Sequence, residues 1–412
     1  MIRYNTIRHW NTISIMRYSI IKQGDNIFKR SNNGFFIKEP RNFRNIFNLK
    51  NIISVFVPKN YPNSVTKEYT KFSALSLIGT ISGTIANTIS TQLLLQALGV
   101  SNGVATAASA TINWIIKDGI GLSGGIIYSA LVSTKFDSEP KRQRFRSRLF
   151  FNIAYILEAS CIFYPSAFLL IASGSNILKN IAFLAASASN TSINTSFLQK
   201  NQSNNLGDIT VKMGAQKTLG GLIGTASGIG LSLLFGATPT ILLFTFIPIN
   251  IINVISLYFS TKTIIIKSLN PERAEILMSN YFNNGTIFTP KAISALESFI
   301  INHRSKYDIK LIINERLDKK TLQLTDDELL NNNQNEKFKI ISRNNIIYLW
   351  FIEEASTNDI IKGLFYANKY RHTLEFPSEQ EFEEFYIQLN NSEWNIDNVY
   401  INSNFIKLEN LV

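Results

Sequence analysis

Residues 117–129 read KDGIGLSGGIIYS. Gly119, Gly121 and Gly124 spell G-x-G-x-x-G, the spacing that lets a backbone approach a dinucleotide pyrophosphate. The pattern serves a cofactor only when a strand precedes it and a helix follows. Here the preceding run, ATAASATINWIIK, is long and rich in Ala, Ser and Thr, so it reads as helix rather than as a short β-branched strand. Glu139 follows at roughly the distance of a ribose-binding acid, about 20 residues on. It adjoins Pro140 in a charged turn, not the end of a second strand. Four-residue spacings of small residues recur along the chain: Gly79 and Gly83, Gly121 and Gly125, Gly220, Gly224 and Gly228, and Ala226 and Gly230. Such spacing puts small residues on one helix face and lets two helix backbones approach closely. The glycines of 117–129 are therefore expected to be helix-packing contacts. GGLIGTASGIG at 220–230 is not a phosphate loop, because no Gly-Lys-Ser/Thr follows. No cofactor is expected.

Working outward, charge is almost missing from the middle of the chain. No charged residue lies between Phe72 and Ile116, and after Lys117 and Asp118 none appears through Thr134. From Leu149 to Ser260 the only ones are Glu158, Lys179, Lys200, Asp208, Lys212 and Lys217. A soluble domain needs a charged outer face, so this region is expected to meet lipid. Stretches 72–98, 149–173 and 239–260 approach the length of a membrane span, about 20 residues. Pro239 and Pro248 in the last are better tolerated in membrane helices than in soluble ones. The Ser, Thr and Asn content also suits a buried helical core, and both readings stand on sequence. Rare charges among apolar helices are costly and often functional, which singles out Lys117, Asp118, Glu158 and Asp208. Lys117 and Asp118 also fit a plain helix end.

The chain has 412 residues, 45% hydrophobic and 17% charged, which excludes a disordered protein. Its net charge of +12 is one-sided: residues 1–150 hold 20 Lys and Arg against 6 Asp and Glu, so the remaining 21 and 23 nearly cancel. The basic part carries no zinc-ligand set and no RNA-binding aromatic motif, so nucleic acid is not an expected partner. One cysteine, Cys161, excludes an internal disulfide. Three histidines, His9, His303 and His372, make no metal cluster. Residues 1–24 carry Arg3, Arg8, Arg17 and Lys22 with no acid, the pattern of a mitochondrial transit peptide. Residues 25–65 read as a basic, Asn-rich linker.

FDSEPKRQRFRSR at 136–148 is the one dense charge cluster of the middle. Phe136, Asp137 and Pro140 make a turn, and Lys141, Arg142, Arg144, Arg146 and Arg148 open the next helix. It reads either as a solvated loop on the basic side of a membrane or as a site for anionic lipid or phosphate. From about residue 301 charge returns. Segments 306–314, 337–342 and 346–354 read as strands, 356–372 as an amphipathic helix with Ser/Thr/Asn/Asp cap chemistry, and 378–394 as another helix. TDDELLNNNQNE between them reads as a loop. Tyr370, Arg371 and His372 form a polar cluster of the kind a helix C-terminus carries.

NWIIKDGIGLSGGIIYS, TKFDSEPKRQRFR, the ILEAS and FYP pieces, NNLGDITVKMGAQKTLGGLIGTASGIGLS and SLNPERAEILMSNYFNNGTIFTPKAISALESFI follow one another in the chain. In this order they resemble the RUS (root UV-B sensitive) family, over residues 65–300 and more loosely beyond. The resemblance puts Trp114, Lys117, Asp118, Gly119, Gly121, Gly124, Gly125, Phe136, Asp137, Pro140, Lys141, Arg142, Arg144, Glu158, Asn205, Gly207, Asp208, Lys212 and Gln216 on recurring family positions. It implies an organelle- or membrane-associated protein, and in plant members a link to root UV-B responses, auxin transport and vitamin B6 homeostasis. The sequence departs from the family at Arg148 and Asn152, where acids are usual, and near Ser192, where an Arg is usual.

The expected protein is mainly α: a Gly/Ser/Ala-rich, membrane-associated helical domain at 66–300, then a small α+β domain at 301–412. Its expected role is that of a non-enzymatic scaffold or transport-related component of mitochondria, linked to vitamin B6 or metabolite homeostasis. Membrane lipid and another RUS-family chain, or a second copy of itself, are the expected partners. The alternative is a soluble or peripheral protein that binds a small phosphorylated ligand at 117–148 through Lys141, Arg142 and Arg144.

Overall fold

The computed structural model describes residues 20–23, 26–30, 36–38, 49–99, 107–132, 138–199, 205–235, 238–300, 308–314, 336–401 and 405. The chain divides into two compact units, residues 1–59 and 60–412. In the first, strands β1 (Ile20–Gln23), β2 (Asn26–Arg30) and β3 (Phe36–Lys38) form an antiparallel sheet in that order, followed by helix α1 (Leu49–Phe56). The segment expected to be a linker thus holds two strands and a helix. The expected leader lies outside the described residues except for β1.

The second unit starts with a bundle of long helices: α2 (Glu68–Ala97), α3 (Ala107–Val132), α4 (Pro140–Ser160), α5 (Phe168–Ser196), α6 (Leu206–Phe235) and α7 (Pro239–Lys262). The quoted stretch lies inside α3, so the helical reading of its glycines holds. Gly121 faces Asn176 and Gly124 faces Ile177 of α5, so closely that an added Cβ would fall within 2.4 and 2.8 Å of those side chains. Gly220, Gly224 and Gly228 make the same close approach to α2, and at Gly224 the neighbour is the Ile81 backbone carbonyl, 2.7 Å from a built Cβ. Gly119 and Gly230 have open space where a Cβ would go and carry no packing contact.

α2 packs against α6, α7 and α4; α4 packs on α5 and also meets α7, and α5 packs on α3. The expected apolar stretch 149–173 is not one helix. The chain leaves α4 at Ser160, and Pro165 starts a short 3-10 turn before α5. Tyr164, before the proline, is held out of the helical region, with φ −132° and ψ 61°. Four helices are long and apolar enough to cross a membrane by length and composition: Glu68–Ala97, Pro165–Ser196, Leu206–Phe235 and Pro239–Lys262.

The bundle has its polar and apolar sides reversed from those of a soluble domain. Leu233 is 82% exposed, Leu170 79%, Phe244 73% and Ile126 70%, whereas Ser82, Ser90, Asn152, Glu158, Asn250 and Asn253 are buried.

After α7 the chain builds the α+β part: β4 (Ser268–Leu269), α8 (Pro271–Asn284), α9 (Pro290–Leu296), β5 (Lys310–Ile313), β6 (Phe338–Arg343), β7 (Ile346–Phe351), α10 (Thr357–Thr373), α11 (Glu379–Asn390) and β8 (Asn395–Val399). β7 is central, parallel to β5 and antiparallel to β6. The β6–β7 turn is Asn344-Asn345, both at positive φ, a two-residue hairpin whose twist matches the strands. β4 pairs with β8 in parallel. Ser356 and Ser378 start α10 and α11 with capping boxes. The core of this part joins Leu349, Phe351, Leu364, Phe365 and Phe385 to Leu269, Leu277 and Ile293, so it draws on residues well before 301. The Asn-rich loop expected at 325–336 lies outside the described residues apart from Glu336.

Candidate functional site

Lys141 and Arg142 open α4, where Pro140 supplies the fixed φ of a first helical turn. Neither is free for a ligand. Lys141 Nζ donates to Glu297 Oε2 at 2.8 Å and to Ser294 Oγ at 2.9 Å. Arg142 meets Glu139 at 2.5 Å and Glu272 at 2.6 Å, and donates to the Ser298 carbonyl at 2.9 Å. Arg273 reaches Glu297 at 3.0 Å, and Asn270, the cap of α8, donates to the Ser138 carbonyl. This network clamps α4 to α8 and α9. Burial opposes the charge on Arg142, but Glu139 and Glu272 outweigh it and hold the guanidinium above its ordinary value. Burial also works against ionisation of Glu297, yet Lys141 and Arg273 pull its carboxyl below the ordinary range. At Glu272 burial wins over the pull of Arg142, with Glu297 and Glu139 adding repulsion, and the pKa is raised. The phosphate-binding reading of 117–148 thereby loses two of its three cations to the protein's own carboxylates. Asp137 lies outside the described residues.

A second polar assembly occupies the bundle interior. Lys117 is buried on α3, with Nζ 2.7 Å from Asp118 Oδ1 and 4.3 Å above the Trp114 ring. The two residues sit in mid-helix, so they do not mark a helix end. Asn176 of α5 donates to Asp118 Oδ1 at 3.0 Å and to the Lys117 carbonyl at 3.2 Å. One turn along α5, Lys179 donates to Glu158 Oε2 at 2.6 Å and to Asn87 Oδ1 at 3.0 Å. Ser90 donates to the same Glu158 oxygen at 3.1 Å. Lys117 and Asp118 are thus held against α5 at Asn176, and Glu158 against it one turn on at Lys179, so three of the rare charges singled out by sequence pack along one helix. Lys179, Asn176, Asn87 and Ser90 complete the assembly and were not singled out. A signal for Lys179 was present: Glu158 and Lys179 are the only charged residues from Leu149 to Gln199, and buried charges in apolar helices pair.

Polar groups continue from there along α2. Asn253 of α7 donates to Ser82 Oγ and the Gly79 carbonyl, and accepts from Asn152 of α4 at 2.8 Å. Gly79 and Gly83 leave the room for this, since a Cβ on Gly83 would fall 2.8 Å from Asn253. Nearer the start of α2, Arg144 donates to Ser76 Oγ at 3.0 Å and lies over Phe72. Gln216 of α6 accepts from Ser73 and donates to Tyr69 Oη at 3.3 Å. Lys212 and Asp208 lie on the same helix one and two turns earlier, both half-buried. Asp208 sits in the first turn of α6, where the helix dipole favours an acid. Arg371 and His372 face α8, through Glu275 at 3.0 Å and Asn283 at 3.1 Å. Among the described residues no group of three His, Cys, Asp or Glu is placed to hold a metal.

Residues 44–285 match the family profile described as the vitamin B6 photo-protection and homoeostasis domain. The chain is similar to the protein root UVB sensitive 3 of Arabidopsis thaliana, 23% identical over 251 residues, 61% of this chain and 56% of the relative. It is similar to RUS family member 1 of Dictyostelium discoideum, 26% identical over 255 residues, 61% of this chain and 48% of the relative. It is also similar to root UVB sensitive 2, chloroplastic, of Arabidopsis thaliana, 26% identical over 261 residues, 63% and 59%. The chain thus spans about half the length of the curated relatives it matches. No solved structure matches it. With the profile covering more than half of its residues, the chain belongs to the RUS family.

Proposed function

We propose that this chain is a membrane-embedded RUS-family protein of mitochondria that moves or retains a small polar metabolite and performs no covalent catalysis. α2, α5, α6 and α7 would cross the bilayer, and the α+β part would stand outside it. The observation that carries the reading is the reversal of the bundle: many large apolar side chains are exposed, while Lys117, Glu158 and a run of Asn and Ser are buried and Lys179 is largely so. Polar groups inside a membrane bundle that face its interior are the usual mark of a solute path. Lys67, Lys71, Lys262 and Lys291 surround one cleft near the α+β part, which suits the basic-favoured side of a membrane. The family description points to B6 vitamers as the solute class. Residues 1–24, basic and free of acids, supply the reason for mitochondria.

The test is alkaline carbonate extraction of mitochondria carrying the tagged full-length chain, paired with measurement of organellar B6 vitamers. Retention in the pellet is expected, together with altered vitamer levels when Glu158→Gln replaces the wild type. Release into the supernatant ends the membrane-embedded reading. Vitamer levels that neither deletion nor Glu158→Gln alters end the transport reading. A chain lacking residues 1–24 that still enters mitochondria ends the leader reading.

A further inference from the structure

We infer that the two adjoining clefts where α2 and α4 meet α6 and α7, lined by Arg144, Arg148 and Lys217, together form a binding site for a phosphate-type oxyanion. Arg144 and Lys217 line one part of it with Ser73, Ser76 and Thr80. Arg144 and Arg148 line the adjoining part with Ser76, Asn253 and Ser260. Ser76 and Arg144 line both, so Arg144 stands between two small adjoining clefts, with Lys217 on one and Arg148 on the other.

These cations have no acid to answer them. Among the described residues, ion pairs engage Lys117, Lys141, Arg142, Lys179 and Arg273, and none reaches Arg144, Arg148 or Lys217. Arg144 and Lys217 donate to neutral groups: Arg144 to Ser76 Oγ at 3.0 Å, and Lys217 to Asn190 Oδ1 at 3.2 Å. Arg144 is only 5% exposed, and its buried Nε has no partner. A buried, unanswered charge is expensive, and three together repel one another.

The helices around the clefts cannot supply the missing charge. α5 and α7 contain no Asp or Glu. On α2 the one acid is Glu68, eight residues before Ser76 and so about 12 Å away along the axis. On α6 it is Asp208, nine residues before Lys217, about 13 Å. On α4 it is Glu158, already taken by Lys179.

Two guanidinium forks, one ammonium and a serine hydroxyl form the donor set that recognises phosphate oxygens. The site is distinct from the Glu158 assembly: Ser76 and Ser90 of α2 are fourteen residues apart, about 21 Å. It does not rest on the transport reading. A free phosphorylated solute and a phospholipid headgroup would present the same group.

The test uses the full chain purified in neutral detergent. Inorganic phosphate is titrated at constant ionic strength while the melting temperature is followed. A parallel series uses phosphatidylcholine nanodiscs with and without phosphatidic acid. A rise in melting temperature with phosphate concentration, following mass action, is expected and identifies a solute site. A rise only with phosphatidic acid identifies a headgroup site, and either result supports the oxyanion.

Lys217→Gln should weaken the response about tenfold, as the loss of one charge-assisted bond does. Arg146→Gln, at an exposed position on α4, should leave it unchanged. Arg148→Glu supplies the missing internal charge. It should raise the melting temperature without phosphate and abolish the phosphate response. A wild type indifferent to both phosphate and phosphatidic acid overturns the assignment, as does an Arg148→Glu chain that responds like wild type.

Discussion

Glu158 Oε2 and Lys179 Nζ lie 2.6 Å apart, with Glu158 2% and Lys179 19% exposed, on helices separated by the break at Tyr164. The pair ties α4 to α5 and, through Asn87 and Ser90, both of them to α2. Removing one member leaves the other charged and buried. Glu158→Ala should therefore lose about 3–5 kcal/mol of stability in detergent. The double change Glu158→Leu with Lys179→Met should recover most of that loss, since no lone charge remains. Denaturant titration in detergent reads both, and a double variant as unstable as Glu158→Ala would show that the pair does not act as a unit.

The two glycines that open the G-x-G-x-x-G pattern should respond in opposite directions to alanine. At Gly119 a Cβ meets nothing, so Gly119→Ala should gain up to about 1 kcal/mol from helix propensity. At Gly121 a Cβ would fall 2.4 Å from Asn176 Nδ2 and 2.9 Å from its Cβ, an atom fixed close to the α5 backbone. Gly121→Ala should lose about 1–3 kcal/mol by overpacking and loosen the Asn176 contact with Asp118. A pyrophosphate-binding loop would make both substitutions harmful to ligand binding and neither informative about helix packing. Thermal unfolding of the two variants side by side separates these cases, and equal losses would undo the packing account.

What the sequence revealed follows the range of the interaction involved. The helical nature of α3 was readable because glycine spacing is local. The strands and capped helices after residue 336 were readable because alternation and Ser-initiated caps are local too. The break between α4 and α5 was missed because the apolar character runs on from Ile153 through Phe168 to Ala172, so composition hid a boundary that Pro165 imposes. α6 was not counted as a span because its glycines and hydroxyls, needed for close contact with α2, dilute its apolar run. Lys141 and Arg142 looked available because Glu297 and Glu272, which hold them, lie 156 and 130 residues away; only Glu139, the second partner of Arg142, is local. The strands β2 and β3 are too short for a period to show in a basic, Asn-rich stretch.

Opposite pKa shifts at Glu297 and Glu272 make the α4 clamp a pH-dependent joint with a sign that can be checked. Glu297 is held below its unfolded value, near 4.3, by Lys141 and Arg273 despite burial. Its contribution to stability is therefore complete above that pH and is lost as pH falls through the lower folded value. Glu272 is raised by burial beyond what Arg142 recovers. Folding therefore favours its protonated form: that contribution is complete below the unfolded value and lost as pH rises through the higher folded one. Glutamine resembles the protonated acid in shape. At pH 7, Glu297→Gln should lower the melting temperature, and Glu272→Gln should hold or raise it. As pH falls toward about 4, Glu272→Gln should converge on wild type first, and Glu297→Gln only at lower pH, once the wild-type carboxylate has taken up its proton. Melting curves of the three proteins between pH 7 and pH 3.5 decide the matter. Two variants that shift the melting temperature in the same direction at pH 7 would mean that Lys141, Arg142 and Arg273 treat both carboxylates alike, contrary to the separate partners the structure gives them.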